Sequence, residues 1–162
     1  MNIRRLIITV MAVVVAVLAA PALRAASQRP VALPERFRGA DHAVVARVAS
    51  AVARFERNKW GDQLIVTRLQ LQVDEALKGA PAAFVDLDVE GGTVGTLTLE
   101  VSDLPSLREG DRAVFFLKRS ANTGAFLPHL RGQGILRLDN RDRVPGSSLT
   151  LEAIRQAGRA AR

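Results

Sequence analysis

Apolar and polar residues alternate most regularly between Ile65 and Val73. Ile65, Thr67, Leu69, Leu71 and Val73 hold the odd positions, and Arg68, Gln70, Gln72 and Asp74 the even ones. A period of two predicts a strand with one buried and one wet face. Slipping its register by one residue would put the whole apolar set into water, so neighbouring strands must pair around it. The same period recurs at Phe84–Glu90, where Val85, Leu87 and Val89 face inward and Asp86, Asp88 and Glu90 form a solvated face. It recurs again at Leu97, Leu99 and Val101, the inner face of a further strand.

Two other runs are too apolar to alternate cleanly. Asp41 to Phe55 is rich in valine, with Val44, Ala46 and Val48 on one phase, and predicts a long first strand. Arg112 to Arg119 is apolar between charged ends, the pattern of a central strand buried on both sides. Between these segments stand turn residues. Asn58, Gly61 and Asp62 make a hairpin loop that leaves Trp60 half exposed. Gly79 ends the organising strand, and Gly91, Gly92 and Gly95 form a glycine turn. Gly110 closes a polar connection, Asn122–Gly124 turns the chain into Ala125–Leu130, and Gly132–Gly134 leads into a last strand at Ile135–Asp139. Gly132 and Gly134 are read as a bulge or a close backbone approach. Near the end, Thr150 can cap a short helix with a thin apolar stripe through Leu151 and Ile154. Strands at this spacing, with no helix between most of them, predict an all-β barrel or sandwich with a C-terminal helix.

The first 26 residues do not belong to that pattern. Arg4 and Arg5 precede an apolar run from Leu6 to Ala20, and Ala20-Pro21-Ala22 offers a small-residue cleavage site, with cleavage after Ala22, Ala25 or Ala26. About 15 apolar residues fall short of the roughly 20 that span a bilayer, so the segment reads as a signal peptide and not as an anchor. The expected organisation is a signal peptide at 1–26, an extended linker at 27–40 carrying Pro30 and Pro34, a β-barrel at 41–140 and a basic tail with a short helix at 141–162. The expected product is exported, periplasmic or secreted, and keeps no stable membrane span after cleavage. Its expected state is a monomer.

Composition narrows the chemistry. The 162 residues include no cysteine, which excludes a lipid-anchored amino terminus and a disulfide framework. The formal charge of +7 belongs to the ends, because 41–140 holds 12 basic against 13 acidic residues, a net −1. Such a body has no electrostatic reason to seek nucleic acid. It also lacks tyrosine, and Phe115 and Phe116 lie in a run read as buried, so no platform for stacking bases is expected. The arginines of the ends are read as soluble, disordered termini, with contact to anionic lipid or cell-wall polymer as the alternative.

Elements of this order resemble a known architecture. Asp41-x-x-Val44-Val45-Ala46-Arg47-Val48, an alternating strand ending in Leu77-Lys78-Gly79, and Leu107-x-x-Gly110 before Phe115-Phe116-Leu117 are similar to the small barrel of netrin-like modules and tissue inhibitors of metalloproteinases, a variant of the OB fold. With Gly91-Gly92-x-x-Gly95 and Gly132-Gln133-Gly134 added, they resemble still more an uncharacterised bacterial exported domain often found beside matrixin-type peptidases. The resemblance covers roughly residues 40–140. It implies an all-β, OB-like (netrin-like) closed or partly open barrel and an exported setting. The animal inhibitors act through an amino-terminal cysteine that reaches the protease zinc. A chain without cysteine cannot use that mechanism.

Catalytic signatures are missing. His42 and His129 are the only histidines, they have no metal-ligand spacing, and they read as two independent surface or strand-edge residues. Asp86, Asp88 and Glu90 could attract a hard cation, but without a wrapping loop they read as the wet face of a strand. The glycine turn at 91–95 does not open a helix, and no serine lies in G-x-S-x-G. The expected function is therefore a non-enzymatic exported binding module for a protein or the envelope, with no cofactor. The alternative is a partner or inhibitor of an exported metallopeptidase.

Overall fold

The computed structural model describes residues 29–58, 60–121 and 124–161. The signal peptide expected at 1–26 lies outside them, as do two of the three residues of the turn at Asn122–Gly124. The elements in chain order are helix α1 (Leu33–Gly39), strands β1 (His42–Arg57), β2 (Gln63–Lys78), β3 (Phe84–Glu90), β4 (Gly92–Val94), β5 (Leu97–Leu99), β6 (Arg112–Arg119) and β7 (Phe126–Pro128), a 3-10 turn (Arg131–Gly134), β8 (Ile135–Arg137), and helix α2 (Leu151–Ala160).

Five strands return on themselves. β1 pairs antiparallel with β2 and, through His42–Arg47, with β6; β2 pairs antiparallel with β3, β3 meets β7 in parallel at Leu87 and Phe126, and β7 pairs antiparallel with β6. The ring is thinnest at that single β3–β7 register point. β8 adds to β6 at Phe115 and Ile135. β1 can serve two partners because its pairing with β2 shifts register between Ala43 and Val44, Val45 and Ala46, and Val48 and Ser50. Each shift adds twist and bends the strand around the ring.

Alternation then fills the inside. Val44, Ala46, Val48, Leu69, Leu71, Leu87 and Phe115 are buried together within the ring, as the two-residue period requires. The opposite phase of β1 and β6 is buried as well. Ala43, Val45, Val114 and Phe116 pack outward against Phe37, Leu77, Leu151 and Ile154, making a second core between the sheet and the two helices. That second layer is why β1 and β6 read as continuous apolar runs.

Within the stretch at 27–40 read as an extended linker, Leu33–Gly39 is helical. Pro34 sits in the first turn of α1, where a missing N–H costs nothing, and Phe37 is only 1% exposed. Its ring meets Phe116 edge-on at 5.0 Å between centroids, and Gly158 of α2 passes so close that a Cβ there would lie 2.9 Å from it. Three of the arginines read as belonging to disordered ends, Arg36, Arg155 and Arg159, have partners. Arg36 donates to the carbonyl oxygens of Val31 and Gln133 at 2.8 and 2.7 Å, Arg155 binds Glu75 at 2.7 Å, and Arg159 binds Glu152 at 2.8 Å.

The glycine turn resolves into a small hairpin. Gly92–Val94 pairs with Leu97–Leu99, and the turn itself is Gly95-Thr96, with Gly95 at φ 60°. Leu97, expected to face inward, is 60% exposed at the tip of this hairpin. α2 forms as expected: the Thr150 hydroxyl accepts from the Ala153 N–H at 3.2 Å, and Leu151 and Ile154 are fully buried. No helix among the described residues is long and apolar enough to cross a membrane.

Candidate functional site

At the end of the ring away from the helices, the inner faces of β2 and β3 run out before the core closes. Thr67, Leu69 and Val89 form a floor there, and β3 gives way to Gly91, which anchors the β4–β5 hairpin. The Gly91 N–H donates to the Ile65 carbonyl at 2.8 Å, and its own carbonyl accepts from the Thr67 hydroxyl at 2.6 Å. From this anchor the hairpin folds over the floor. Gly92 lies so close to β2 that a Cβ would fall 2.3 Å from Thr67 Oγ1 and 3.1 Å from the Ala53 Cβ. No larger residue fits that contact.

The connection from Glu100 to Arg108 supplies the opposite wall. Between hairpin, floor and wall is a cleft of about 520 Å³, within the size range of small-ligand sites. Leu99 of the hairpin and Leu104 and Leu107 of the wall add apolar lining, and Glu100, Ser102, Ser106 and Arg108 add polar lining.

The wall is held from the far side of the chain. Arg131 donates to both carboxylate oxygens of Asp103, at 2.6 and 3.2 Å, and to Glu90 at 3.1 Å. One guanidinium therefore ties the wall to the end of β3. The hydrogen bond from Arg131 holds the Asp103 carboxyl below its usual range, and the same bond pushes the Arg131 guanidinium up. Leu130 and Arg131 adopt φ of 63° and 53°, a left-handed pair that costs free energy in non-glycine residues. Gly132 fits against the wall because it has no side chain; a Cβ there would lie 1.5 Å from the Asp103 carbonyl oxygen. Gly134 likewise would clash with the His129 carbonyl oxygen at 1.9 Å. The Gly132-Gln133-Gly134 step is thus a close backbone approach inside a 3-10 turn, not a bulge. Compared with known proteins, the chain matches no family model and no curated relative.

The remaining glycines singled out in the sequence, Gly79, Gly91 and Gly110, have φ of 76°, 104° and 87°. Gly79 turns the chain across the His42 ring, where a Cβ would lie 2.2 Å from Nδ1. Beside it Lys78 donates to the Phe37 and Ala40 carbonyls at 2.7 Å each and to Arg38 at 3.3 Å. The Leu77-Lys78-Gly79 signature therefore docks α1: Leu77 enters the helix-side core, Lys78 caps the carbonyl end of the helix, and Gly79 clears the histidine.

The carboxylates of β3 are not one solvated face. Asp88 is only 4% exposed. It accepts from Arg68 through both oxygens at 2.8 and 2.7 Å, with Arg54 at 3.5 Å. Glu90 is engaged by Arg131, and Asp86 is exposed. The three could meet at a cation only by giving up these arginines. Among the described residues no group of three or more His, Asp or Glu side chains is placed to hold a metal ion.

Neither histidine is a free surface residue. The His42 ring meets Phe126 edge-on at 5.3 Å, and its Nδ1 is buried with no hydrogen-bond partner among the described residues. His129 packs on Gly39, where a Cβ would lie 2.3 Å from Nε2. Burial pushes the His129 imidazolium pKa down, nearby Lys118 and Lys78 push it further, and Asp41 opposes them. Sequence patterning alone missed Arg131, whose importance depends on two carboxylates 28 and 41 positions earlier in the chain. It had one legible trace, a lone arginine directly before glycines that must approach another backbone.

Proposed function

We propose that this protein is an exported, non-enzymatic binding module on an OB-like ring, and that the cleft above Leu69 and Val89 receives its ligand. The cleft is the observation that carries the reading. A preformed cleft at the mouth of a β-ring, in which apolar side chains such as Leu69 and Val89 alternate with hydroxyl and charged groups, offers both packing and hydrogen-bonding contacts to a small ligand or peptide segment. The strand order supports the fold half of the proposal: β1-β2-β3-β7-β6 closing on β1, with β3 and β7 parallel, follows the five-stranded OB arrangement. The outward face of β2–β3, which OB folds also use, is here taken up by the Arg68–Asp88 pair, leaving the mouth as the better site. Part of the lining is already engaged within the protein: Glu90 accepts from Arg131 at 3.1 Å, and the Thr93 and Thr98 hydroxyls bind each other at 2.9 Å. Support for export comes from the charged-then-apolar leader at 1–26.

Titration of the purified protein with a panel of tripeptides and cell-wall oligosaccharides, followed by amide chemical shifts, tests the site. Shifts confined to Leu99, Leu104 and Leu107, abolished in a Ser106→Trp variant that fills the cleft from its wall, are expected. Shifts elsewhere, or a response unchanged by Ser106→Trp, would reject the cleft as the site. Fractionation of cells expressing the full chain tests export separately.

A further inference from the structure

The hairpin of β1 and β2 is longer than the ring needs. β1 pairs with β6 only as far as Arg47. Val48 is the last residue held on that side, by bonds to Gly110 and Asp111. From Ser50 to Arg57 β1 pairs with β2 alone, so its other edge presents a row of backbone donors and acceptors that no described strand meets. Such an edge is a template for another strand.

The side chains along it are self-complementary. Directly opposed residues share a sheet face, and the register sets Phe55 opposite Ile65 and Arg54 opposite Val66. Phe55 therefore lies on the inward phase and Arg54 and Glu56 on the outward one. If a second copy adds antiparallel along this edge about a twofold at Phe55, Arg54 faces Glu56 of the copy and Glu56 faces its Arg54. Arg54 and Glu56 already touch within one chain at 3.2 Å, so the four charges close an alternating square. Phe55, 43% exposed, meets its own copy on the other face, a cross-strand aromatic pair of the kind that stabilises sheets.

We propose that two copies of this chain associate through the β1 edge at Ser50–Arg57, extending each sheet into the other in an isologous dimer. This stands apart from the ligand reading of the cleft and does not depend on it. The absence of cysteine offers a direct test. A single cysteine at Phe55 would face itself across the twofold, at a spacing a disulfide can bridge.

Mild oxidation of Phe55→Cys is expected to give a covalent dimer, and Glu109→Cys, also exposed but on a loop, is not. By sedimentation equilibrium from micromolar to about 1 mM, the wild type is expected to dimerise. Glu56→Arg should weaken association about tenfold or more by turning both opposite-charge pairs into like-charge ones. Glu56→Asp, which keeps the charge and leaves Arg54 on Asp88, should hold association within a few-fold (~2–3) of the wild type. A wild type monomeric throughout, or equal cross-linking of the cysteines at 55 and 109, would overturn the proposal. So would a dimer indifferent to Glu56→Arg.

Discussion

Single side chains carry most of the information that alternation does not. Asp88 is the clearest case: it occupies a polar position of a regular strand, yet two arginines close over it. Removing the carboxylate in Asp88→Ala leaves Arg68 and Arg54 uncompensated. Both guanidinia remain about a third exposed, so water screens much of the loss, and a cost of about 1–2 kcal/mol is expected in urea unfolding. His129 gives a second, pH-dependent prediction. Its folded pKa is lowered, so the unfolded chain takes up the proton first as pH falls. Stability should fall as pH drops through the ordinary histidine range near 6.5 and stop falling from this cause below the lowered value. Asp41 and Asp103 also have lowered folded pKa values, but their stabilisation is lost only as pH falls below the usual carboxylate range. The two windows are separable. His129→Gln should flatten the upper one and leave the lower, as read by thermal melts at stepped pH.

Elements acquire their places through ties that cross the chain. α1 has seven residues, too few to persist alone in water. It exists because Phe37 enters the outer core and Lys78 binds three carbonyls at its end. Lys78→Met keeps the stem and removes the donors, so hydrogen exchange at residues 35–40 should accelerate at least about tenfold while the ring strands stay protected. Uniform acceleration across β2 and β3 would instead show that α1 and the ring open together.

The whole molecule depends on two cores sharing one sheet. Phe115 faces the ring interior and Phe116 the helices, so neither layer can be removed without exposing the other side of β1 and β6. A chain ending at residue 148 loses Leu151 and Ile154, both fully buried. At about 1.5–3 kcal/mol for each buried side chain, plus the surface newly exposed at Phe37 and Phe116, the loss rivals the 5–15 kcal/mol typical of a whole domain. Circular dichroism of that truncated chain should show no cooperative thermal transition.

Local periodicity was enough to locate β1, β2, β3, β6 and α2, because burial on one face writes its own period into the residues. Thr150 announced its helix by the same local logic. The sequence by itself therefore determined that the four long stretches at β1, β2, β3 and β6 are extended and which side of β2 and β3 turns inward. Only the tertiary structure decided what covers the other side: that 33–39 is a helix and not a linker, that Asp88 is closed by arginines, and that Arg131 staples a cleft wall. Those outcomes rest on contacts between residues tens of positions apart. A strand's period records that a face is buried or wet, and carries no record of which distant segment supplies the burial or the countercharge.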